Sequence, residues 1–368
     1  MSNTAIVHDW LPVIGGAEHV VKEMAHASGA RDLYTLFDFL SAEDRAYLGD
    51  LNIQTSRLQN LPGVERYYRY LIGSCCRAIE SFDLRAYDTL LTSSACFAKG
   101  ILTGADQKHI AYIHSPPRYA WDLTHEYLET ATGWGGLKRK VAERAFHKLR
   151  LWDMRTVHAM DTVLANSQFV ARRIKKLYGR SADVLYPPVH TERFGKAAVK
   201  DRDDHYLIAC RLVGYKRVDV IVRAFNLMPD KKLVVVGEGP DRSALERLAG
   251  PNVQFVGYQD HDQMASVIAR AKAFVYAAIE DFGIVPLEAQ AAGVPVIAYG
   301  AGGVLETVNT KKGEATGILF PHQTPESLRD AVERFDAQAE TYSAEACQTH
   351  ASNFATQNFH AGLQRYLP

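Results

Sequence analysis

Residues 274–306 of the chain read FVYAAIEDFGIVPLEAQAAGVPVIAYGAGGVLE, and they contain the clearest fold signal in the sequence. The apolar run at 274–279 predicts a buried strand, and the helix that follows has Pro286 near its first turn and stops at Gly293. A second apolar run at 294–299 predicts another buried strand. Strand, helix and strand form a βαβ unit of an α/β fold, which binds ligands in the loops at the carboxyl ends of its parallel strands.

The first loop and helix of this unit carry two acidic residues, Glu280 before the helix and Glu288 in its predicted first turn. A helix N-terminus offers unpaired N–H groups and partial positive charge, which suit a phosphate. An ionised carboxylate only accepts hydrogen bonds, so Glu288 suits the two hydroxyls of a ribose and Glu280 suits the hydroxyls of a sugar. Taken alone, the same pair could be solvated acids that favour the helix dipole.

The segment at 280–298, EDFGIVPLEAQAAGVPVIA, closely resembles the Glu-x7-Glu signature of glycosyltransferase family 4. That family consists of retaining, nucleotide-sugar-dependent enzymes of the two-domain GT-B fold. The resemblance implies that Glu280 contacts the transferred sugar and that Glu288 holds the ribose. It also implies that the donor is contacted by the backbone of four residues between the two acids: Phe282, Gly283, Ile284 and Val285.

The composition excludes several other classes of protein. The 368 residues are enough for two domains, and 47% hydrophobic with 23% charged residues is ordinary for a globular protein. A formal net charge of zero argues against a globally basic nucleic-acid binder, so no nucleic-acid partner is expected. The five cysteines form no Cys-x-x-Cys pair and predict reduced thiols. The N-terminus lacks a leader pattern and no apolar run approaches the ~20 residues of a membrane span, so the expected location is the cytoplasm, with contact to the inner face of the membrane left open.

The N-terminal half offers further candidate contacts to the donor. An apolar strand that starts at Ala5 breaks before the pair Gly15 and Gly16, which opens a helix. Two glycines at such a turn let backbone amides approach a diphosphate closely, although a Gly-Gly pair by itself can be only a turn. The pair resembles the Gly-Gly-x-Glu loop of family 4, which implies contact with the donor phosphates. His114, at the end of a later apolar strand, resembles a donor-contacting histidine of the family.

Residues 114–127, HSPPRYAWDLTHEY, look like a subgroup of mannosyltransferases that build bacterial O-antigen and exopolysaccharide repeats from GDP-mannose. The resemblance implies GDP-mannose as the donor and a glycan or lipid-linked glycan as the acceptor. The residues it suggests for the acceptor are Arg118, Tyr119, Trp121 and Asp122. Aromatic faces suit sugar rings, and Asp and Arg suit their hydroxyls. Ordinary packing is the alternative for the aromatic residues.

Two cations follow the first predicted strand of the C-terminal half, Arg211 at its end and Lys216 five residues later. Their spacing resembles the diphosphate clamp of family 4, so they are expected to stabilise the leaving diphosphate. The resemblance implies a same-face displacement in which His114, Arg211 and Lys216 polarise and neutralise the leaving group. Glu280 would orient the sugar, and no carboxylate is placed as a nucleophile.

Two other motifs raise alternatives. The turn at 237–239 suggests an NAD site, but Arg242 stands where the third glycine of Gly-x-Gly-x-x-Gly belongs, so the evidence for NAD is weak. In family 4 the same loop flanks the nucleotide base or diphosphate, and the resemblance implies that Gly237 is a secondary candidate for donor contact. Two Asp-x-Asp triplets, at 201–203 and 260–262, suggest a metal ion, but a linker and a helix cap account for them. The sequence therefore predicts a metal-independent enzyme that has no cofactor and uses the nucleotide-sugar as a substrate.

Residues 137–150, LKRKVAERAFHKLR, predict a basic amphipathic helix. Its apolar positions recur every four residues: Leu137, Val141, Ala145 and Leu149. Such a helix could rest on an anionic membrane surface that carries a lipid-linked acceptor, or it could simply pack on one face and be solvated on the other.

A polar stretch after residue 195 predicts the domain boundary. The expected GT-B architecture has an acceptor-binding Rossmann-like domain at 1–195, a nucleotide-sugar-binding domain at 196–350, and a helix at 351–368 that returns to the first domain. The two doubly wound domains would face each other across a cleft. The expected activity is retaining hexose transfer to a hydroxyl of a lipid-linked or growing bacterial surface glycan. A nucleotide-sugar epimerase of the same fold and a non-catalytic sugar-binding module remain alternatives.

Overall fold

The computed structural model describes residues 3–130 and 136–368 and contains two compact units, each built on one parallel sheet. The first unit comprises Met1–Tyr186 and Phe359–Pro368, and the second comprises Pro187–Asn358. Both units have the doubly wound, Rossmann-like α/β architecture that the sequence predicts, which confirms the fold class.

The sheet of the first unit has seven strands: β1 (Thr4–His8), β2 (Asp32–Thr35), β3 (Asn52–Thr55), β4 (Thr89–Ser94), β5 (Lys108–Ile113), β6 (Thr162–Ala165) and β7 (Asp183–Val184). They run parallel in the order β3-β2-β1-β4-β5-β6-β7. The order reverses between β1 and β4, so the connections after these strands leave toward opposite faces. The carboxyl ends of β1 and β4 are therefore where this fold binds ligands.

Helices cover both faces of this sheet. They are α1 (Gly16–Ser28), α2 (Ala42–Tyr47), α3 (Ile72–Glu80), α4 (Thr124–Thr130), α5 (Leu137–Thr156) and α6 (Gln168–Tyr178). Successive side chains of a strand point to opposite faces, and β1 shows this directly. Ala5 and Val7 pack in a core with Ile79 of α3, whereas Ile6 packs in a separate core with Val20 of α1.

Helix α5 includes the basic stretch of the sequence, but the predicted apolar face is divided between the two sides of the helix. Leu137 and Val141 are 52% and 60% exposed, whereas Leu149 is buried together with Phe146 and Asp153. A spacing of four residues advances by about 40° more than a full turn of an α-helix, so the predicted stripe drifts around the helix within three steps. The prediction of one apolar stripe was wrong for this reason.

The sheet of the second unit has six strands: β8 (His205–Ala209), β9 (Lys232–Val236), β10 (Val253–Gly257), β11 (Ala273–Tyr276), β12 (Val296–Tyr299) and β13 (Gly317–Phe320). They run parallel in the order β10-β9-β8-β11-β12-β13. The order reverses between β8 and β11, so the ligand-binding edge of this sheet lies at the carboxyl ends of these two strands.

The remaining helices follow the same alternation of strand and helix. They are α7 (Thr191–Ala197), α8 (Val218–Asn226), α9 (Arg242–Leu248), α10 (His261–Arg270), α11 (Ile284–Ala291), α12 (Val304–Thr307), α13 (Pro325–Ala337), α14 (Ala344–Ser352) and α15 (Thr356–Gln364). Helix α13 begins as the sequence predicts, because the Thr324 hydroxyl accepts a hydrogen bond from the Ser327 amide and Pro325 occupies the first turn.

The division between the units differs from the predicted boundary. Residues 187–195, which the sequence analysis places in the first domain, belong to the second unit. Phe194 packs in the core of the second unit, and Val189 pairs with Ala355 through an isolated bridge, which explains the difference. Of the predicted returning helix at 351–368, only the residues from Phe359 onward belong to the first unit, where Phe359 and Leu363 join the core that contains α1.

None of the helices in the described ranges combines the length and the apolar character that a transmembrane helix requires.

Candidate active site

The stretch from β11 to α11 forms the centre of the candidate site in the second unit. Strand β11 is shorter than predicted and ends at Tyr276, and buried Ala277 and Ala278 continue it to Glu280. Helix α11 is capped by Gly283, whose φ of 93° lies in the left-handed region that favours glycine. Because α11 begins at Ile284, Glu288 follows the first turn and does not lie in it, which corrects the sequence analysis.

The loop after β12 packs directly on the loop after β11. The Gly303 amide donates a hydrogen bond of 2.8 Å to the Glu280 carbonyl, and Glu280 and Gly302 form an isolated bridge. A Cβ at Gly303 would lie 2.4 Å from the Phe282 Cα, and one at Gly302 would lie 2.5 Å from the Glu280 carbonyl oxygen. The glycines after β12 therefore hold the backbone that carries Glu280 and leads into α11.

Replacing Gly303 with alanine is expected to destabilise the second unit by about 1–3 kcal/mol, because the new methyl group meets backbone that cannot move cheaply. Gly300→Ala is the matched control, since its Cβ would have ordinary contacts at 3.5 Å with Leu319 and Phe320. Thermal unfolding followed by circular dichroism compares the two variants. Equal melting temperatures would show that the loops after β11 and β12 are not packed as described.

Lys216 and Glu280 form an ion pair between the loops that follow β8 and β11. Their side chains are 15% and 22% exposed, and the Lys216 ammonium also lies 3.3 Å from the Tyr276 hydroxyl. Burial lowers the pKa of Lys216, but the Glu280 carboxylate outweighs it and the net pKa is raised. Burial also raises the pKa of Tyr276, so its hydroxyl stays protonated. A cation and an acid therefore lie together at the carboxyl ends of the two strands between which the order reverses.

The loop after β8 is held in an unusual conformation. Arg217 has φ 54°, and within the described ranges it is the only residue other than glycine with a positive φ. Its guanidinium donates a hydrogen bond of 2.6 Å to the Gln323 amide oxygen. The Gln323 amide nitrogen in turn donates a hydrogen bond of 2.7 Å to the Ala277 carbonyl oxygen. Gln323 thereby ties the turn that carries Lys216 to the end of β11. Arg211 is exposed, and in the described part of the chain it makes no ion pair.

Gly237 has a packing role in the structure. Its φ is 126°, and a Cβ there would lie 2.0 Å from the Cys210 carbonyl oxygen. A Cβ at Gly239 would lie 2.1 Å from the Leu212 carbonyl oxygen, and the Leu212 amide donates 2.9 Å to the Glu238 carbonyl. The turn at 237–239 therefore packs against the segment that leads to Lys216. Donor contact by Gly237 stays a prediction.

Glu288 is half-buried on α11. Burial raises its pKa to about 7, and the charge of Arg193 on α7 opposes that shift. A carboxyl group with this pKa changes its charge near neutral pH, so its ability to accept hydrogen bonds from a diol depends on pH.

In the first unit, the Gly-Gly turn and His114 are linked through a set of buried polar groups. Glu18 accepts a 3.0 Å hydrogen bond from the Gly15 amide, and its other carboxylate oxygen lies 3.6 Å from His8 Nε2. The Gly15 amide, predicted to approach a diphosphate, is therefore occupied within the protein. Gly16 is the first residue of α1, where the amides of the first turn have no intrahelical acceptor.

His114 lies at the end of β5, and burial together with the charge of His8 lowers its pKa to about 3. Its imidazole is therefore uncharged at neutral pH. The sequence analysis expected His114 to act on the leaving group together with Arg211 and Lys216, and that role stays a prediction. A neutral imidazole can still polarise a group through a hydrogen bond.

The predicted acceptor residues differ in how the fold uses them. The Tyr119 hydroxyl donates to Cys96 Sγ at 3.2 Å, and the Trp121 indole N–H donates to Asp153 at 2.8 Å. Both aromatic residues thus use their polar tips in the fold, which supports the packing alternative. Asp122 is exposed and pairs with Arg173 at 2.6 Å. Acceptor contact by Arg118 and Asp122 stays a prediction.

The two Asp-x-Asp triplets have structural roles where they are described. Asp203 accepts two hydrogen bonds of 2.9 Å from Arg270. The Asp260 carboxylate accepts a hydrogen bond of 2.9 Å from the backbone amide of Gln263 at the start of α10. The side chains of His261 and Asp262 lie outside the described residues. The expectation of a metal-independent enzyme stays a prediction.

Asp9 is a residue that the sequence analysis missed. It is buried, and its two carboxylate oxygens accept hydrogen bonds from four successive backbone amides after β4, at distances of 2.5–2.8 Å: Ala95, Cys96, Phe97 and Ala98. Asp9 follows β1 and these amides follow β4, so it fixes the loop at the point where the strand order reverses. The sequence feature that could have identified Asp9 is an acidic residue directly after an apolar strand.

Two family models match the chain. The model described as Glycosyltransferase Family 4 matches residues 14–193, and the model described as Glycosyl transferases group 1 matches residues 189–344. Together the two matches extend over most of both structural units.

Relatives and a solved structure agree with this match. A GDP-mannose-dependent monoacylated alpha-(1-6)-phosphatidylinositol monomannoside mannosyltransferase of Corynebacterium glutamicum is 35% identical over 47% of this chain, and the chain spans only 52% of that relative's length. A D-inositol 3-phosphate glycosyltransferase of Mycobacteroides abscessus is 26% identical over 89% of this chain and 82% of its own. The crystal structure of HepE from Anabaena in complex with UDP has a TM-score of 0.72 at 15% identity and covers 99% of this chain and 98% of its own. At that identity HepE shows the fold alone.

Proposed function

The chain belongs to glycosyltransferase family 4, and on that premise we propose that it transfers a hexose from a nucleotide-sugar to a hydroxyl of a glycan or lipid-linked glycan. We expect mannose from GDP-mannose, because the relative of Corynebacterium glutamicum is named for that donor. The observation that carries the proposal is the ion pair between Lys216 and Glu280, where the strand order of the second sheet reverses.

In the proposed reaction the second unit binds the donor. Lys216 and the exposed Arg211 lie against the diphosphate, and the first amides of α11 add partial positive charge. Glu280 accepts hydrogen bonds from hydroxyls of the transferred sugar, and Glu288 accepts them from the ribose. Because Glu280 already pairs with Lys216, one contact positions both the group that binds the sugar and the group that binds the phosphate.

The proposed chemistry retains the configuration at the anomeric carbon. The bond from that carbon to the phosphate oxygen breaks, and the acceptor hydroxyl attacks from the same face. The acceptor proton passes to the leaving phosphate oxygen, so no protein carboxylate acts as a nucleophile. Lys216 stabilises the charge that develops on the diphosphate.

We further propose that catalysis needs no metal ion. Lys216 and Arg211 supply the positive charge that a divalent cation would otherwise bring to the diphosphate. Activity that survives EDTA unchanged supports this, and activity that is lost with EDTA and restored by Mg²⁺ or Mn²⁺ contradicts it.

A ligand screen tests the donor. GDP-mannose is expected to raise the melting temperature more than UDP-glucose or ADP-glucose, since a ligand at 100 times its Kd stabilises the folded state by about 2.7 kcal/mol. The shift should be smaller in Lys216→Ala and unchanged in Lys272→Ala, which removes the same charge from an ion pair with Asp336 elsewhere in the unit. A larger shift with a UDP- or ADP-sugar would contradict GDP-mannose as the donor.

Product analysis tests the reaction. The anomeric NMR signals of the product should show the same configuration as the donor, and an inverted linkage would refute the retaining mechanism. Incubation with the donor alone separates the epimerase alternative, because an epimerase converts the sugar without an acceptor. Donor binding without turnover across a panel of acceptors would favour a non-catalytic module.

Donor affinity should depend on pH through Glu288. Its pKa of about 7 leaves much of the carboxyl group protonated at pH 6 and almost fully ionised at pH 8. If the ribose binds only the ionised form, donor affinity is expected to be about tenfold weaker at pH 6 than at pH 8. Isothermal titration with GDP-mannose checks this, since its diphosphate is a diester that does not titrate in this range.

The control for this pH dependence is Glu288→Gln, which keeps the shape and removes the titration. Its affinity for GDP-mannose should be weaker and should stay constant between pH 6 and pH 8. A wild-type affinity that is flat over this range, or a pH dependence that survives in Glu288→Gln, would refute the ribose role of Glu288.

We also propose that α5 contacts an anionic membrane surface that carries the acceptor. One face of α5 exposes Leu137, Val141 and Leu151, the last being 63% exposed, together with Arg144 and Lys148. These positions follow a helical repeat, so apolar and basic side chains share one face. Such a face suits the boundary between lipid headgroups and acyl chains.

Vesicle flotation tests the membrane contact. The chain should float with vesicles that contain anionic phosphatidylglycerol and should not float with phosphatidylcholine alone. Arg144→Glu with Lys148→Glu should abolish flotation, whereas Arg172→Glu with Lys176→Glu on α6 is the control that should retain it. Equal flotation of both double variants would exclude α5 as the contact.

A further inference from the structure

Four polar side chains of the first unit form a continuous chain at the carboxyl ends of β1, β4 and β5. Glu18 lies 3.6 Å from His8 Nε2, and His8 Nδ1 lies 3.0 Å from both the carbonyl and the hydroxyl oxygen of Ser93. The Ser93 hydroxyl lies 2.7 Å from Nε2 of His114. His8, Ser93 and Glu18 are buried, whereas His114 is half-buried.

The positions of the protons along this chain follow from what each atom can do. A carbonyl oxygen only accepts, so the contact with the Ser93 carbonyl requires a proton on His8 Nδ1. The Ser93 hydroxyl oxygen lies within reach of the same N–H, which leaves its own proton available for His114 Nε2. In that arrangement His114 Nε2 accepts, and the neutral ring carries its proton on Nδ1.

From this geometry we infer that Glu18, His8 and Ser93 are positioning residues that hold His114 as a neutral imidazole with its proton on Nδ1. His114 then acts on the substrate as a hydrogen-bond donor through Nδ1, and it does not take up a proton there. This inference rests on the proposed function and specifies the chemical role of one residue in it.

The charges around the chain agree with this assignment. Burial lowers the pKa of His8, but Glu18 and Asp9 together outweigh it and the net pKa is raised. Positive charge on His8 disfavours a second positive charge on His114, and burial together with His8 lowers the pKa of His114 to about 3. His114 thus stays neutral across the physiological range.

A second histidine on β5 shows what a purely structural arrangement looks like. His109 Nε2 lies 3.0 Å from the Thr92 hydroxyl, and His109 Nδ1 donates to the Ala159 carbonyl at 2.9 Å. Both ring nitrogens of the buried His109 are thus used inside the protein. His114 has the same kind of hydroxyl partner on the neighbouring residue of β4, but none of the described residues forms a hydrogen bond or ion pair with its Nδ1.

The tautomer can be measured directly in the full chain labelled with ¹⁵N-histidine. Two-bond correlation spectra of the wild type should show His114 protonated at Nδ1, with no titration between pH 5.5 and pH 8. Ser93→Ala should shift His114 toward the Nε2–H form, whereas Thr92→Val should leave it unchanged. A wild-type His114 that is protonated at Nε2, or that titrates near pH 6.5, would overturn the inference.

Kinetics test whether the tautomer matters. Hydrogen-bond partners that orient a functional histidine are worth about 10–100-fold, so Ser93→Ala should lower kcat/KM by that factor and Thr92→Val by less than twofold. Should Ser93→Ala fail to fold, Glu18→Gln replaces it. Glu18→Gln still accepts a hydrogen bond from the Gly15 amide but no longer raises the pKa of His8, so positive charge beside His114 is reduced and the pKa of His114 should rise.

The two measurements separate this inference from the proposed function. If no acceptor or donor gives turnover, the proposed function fails, but the spectra still decide the tautomer. If turnover is found and Ser93→Ala changes the tautomer without changing kcat/KM, the positioning role is refuted and the transferase activity stands.

Discussion

Replacing Lys216 with alanine is expected to lower kcat for hexose transfer by about 10²–10³-fold, which is the cost of removing one preorganised group from a developing negative charge. The structure adds a second reason. Without Lys216, the Glu280 carboxylate loses its partner and stays beside the proposed diphosphate, where like charges repel. The effect should appear in kcat at saturating donor concentration, because the leaving charge is largest in the transition state.

Two comparisons make this result specific. Lys272→Ala removes a lysine from the same unit, where its partners are Asp204 and Asp336, and should leave kcat within twofold. A double variant with Lys216→Ala and Glu280→Gln lacks both charges. Its donor affinity should be higher than that of Lys216→Ala alone, whereas its kcat should stay as low. A Lys216→Ala variant that keeps more than a tenth of wild-type kcat would refute the role of Lys216 as a clamp on the leaving group.

Replacing Asp153 with alanine is expected to lower the free energy of unfolding of the first unit by about 3–5 kcal/mol, because it leaves a buried ammonium group without its partner. Asp153 and Lys99 have side chains that are 0% and 1% exposed, and their charged atoms lie 2.5 Å apart. The same carboxylate accepts from the Trp121 indole at 2.8 Å and from the Tyr178 hydroxyl at 3.1 Å. One substitution therefore removes the common acceptor of three donors.

The position of the tryptophans lets this change be measured in one unit. All four tryptophans, at 10, 121, 134 and 152, precede residue 187 and none lies in the second unit, so intrinsic fluorescence in urea follows the unfolding of the first unit. Glu143→Ala is the control, since it breaks the exposed pair with Arg139 and should cost no more than about 1 kcal/mol. If Asp153→Ala lowers the free energy of unfolding by less than about 1 kcal/mol, the buried pair contributes little to the stability of the first unit.

The fold class was predictable because its signals are local. A parallel strand buried on both faces appears as a short apolar run, and the glycines at 283 and 293 stand where φ is positive in the structure. The segment after β11 therefore identified a βαβ unit and, by resemblance, a family. The pairing of Lys216 with Glu280 was only partly predictable, because each residue was assigned a separate role and nothing local showed that they touch.

The buried polar residues could not be predicted in the same way. Asp9 and Asp153 look like ordinary acids in the sequence, and their importance arises from amides, an indole and an ammonium group that come from distant segments. The domain boundary was misplaced for a similar reason. The polar composition after residue 195 marks a linker, but the side chain of Phe194 packs in the core of the second unit.

Local features of the sequence were enough to predict the α/β class, the two-domain organisation and the loop between Glu280 and Glu288, because apolar periodicity, glycine positions and a long motif are properties of neighbouring residues. The electrostatic state of the candidate groups depends on the folded structure. Burial and charges from other strands make His114 neutral, bring the pKa of Glu288 to about 7 and keep Lys216 cationic. Desolvation and Coulomb energy depend on distance in space, which the order of residues along the chain does not specify.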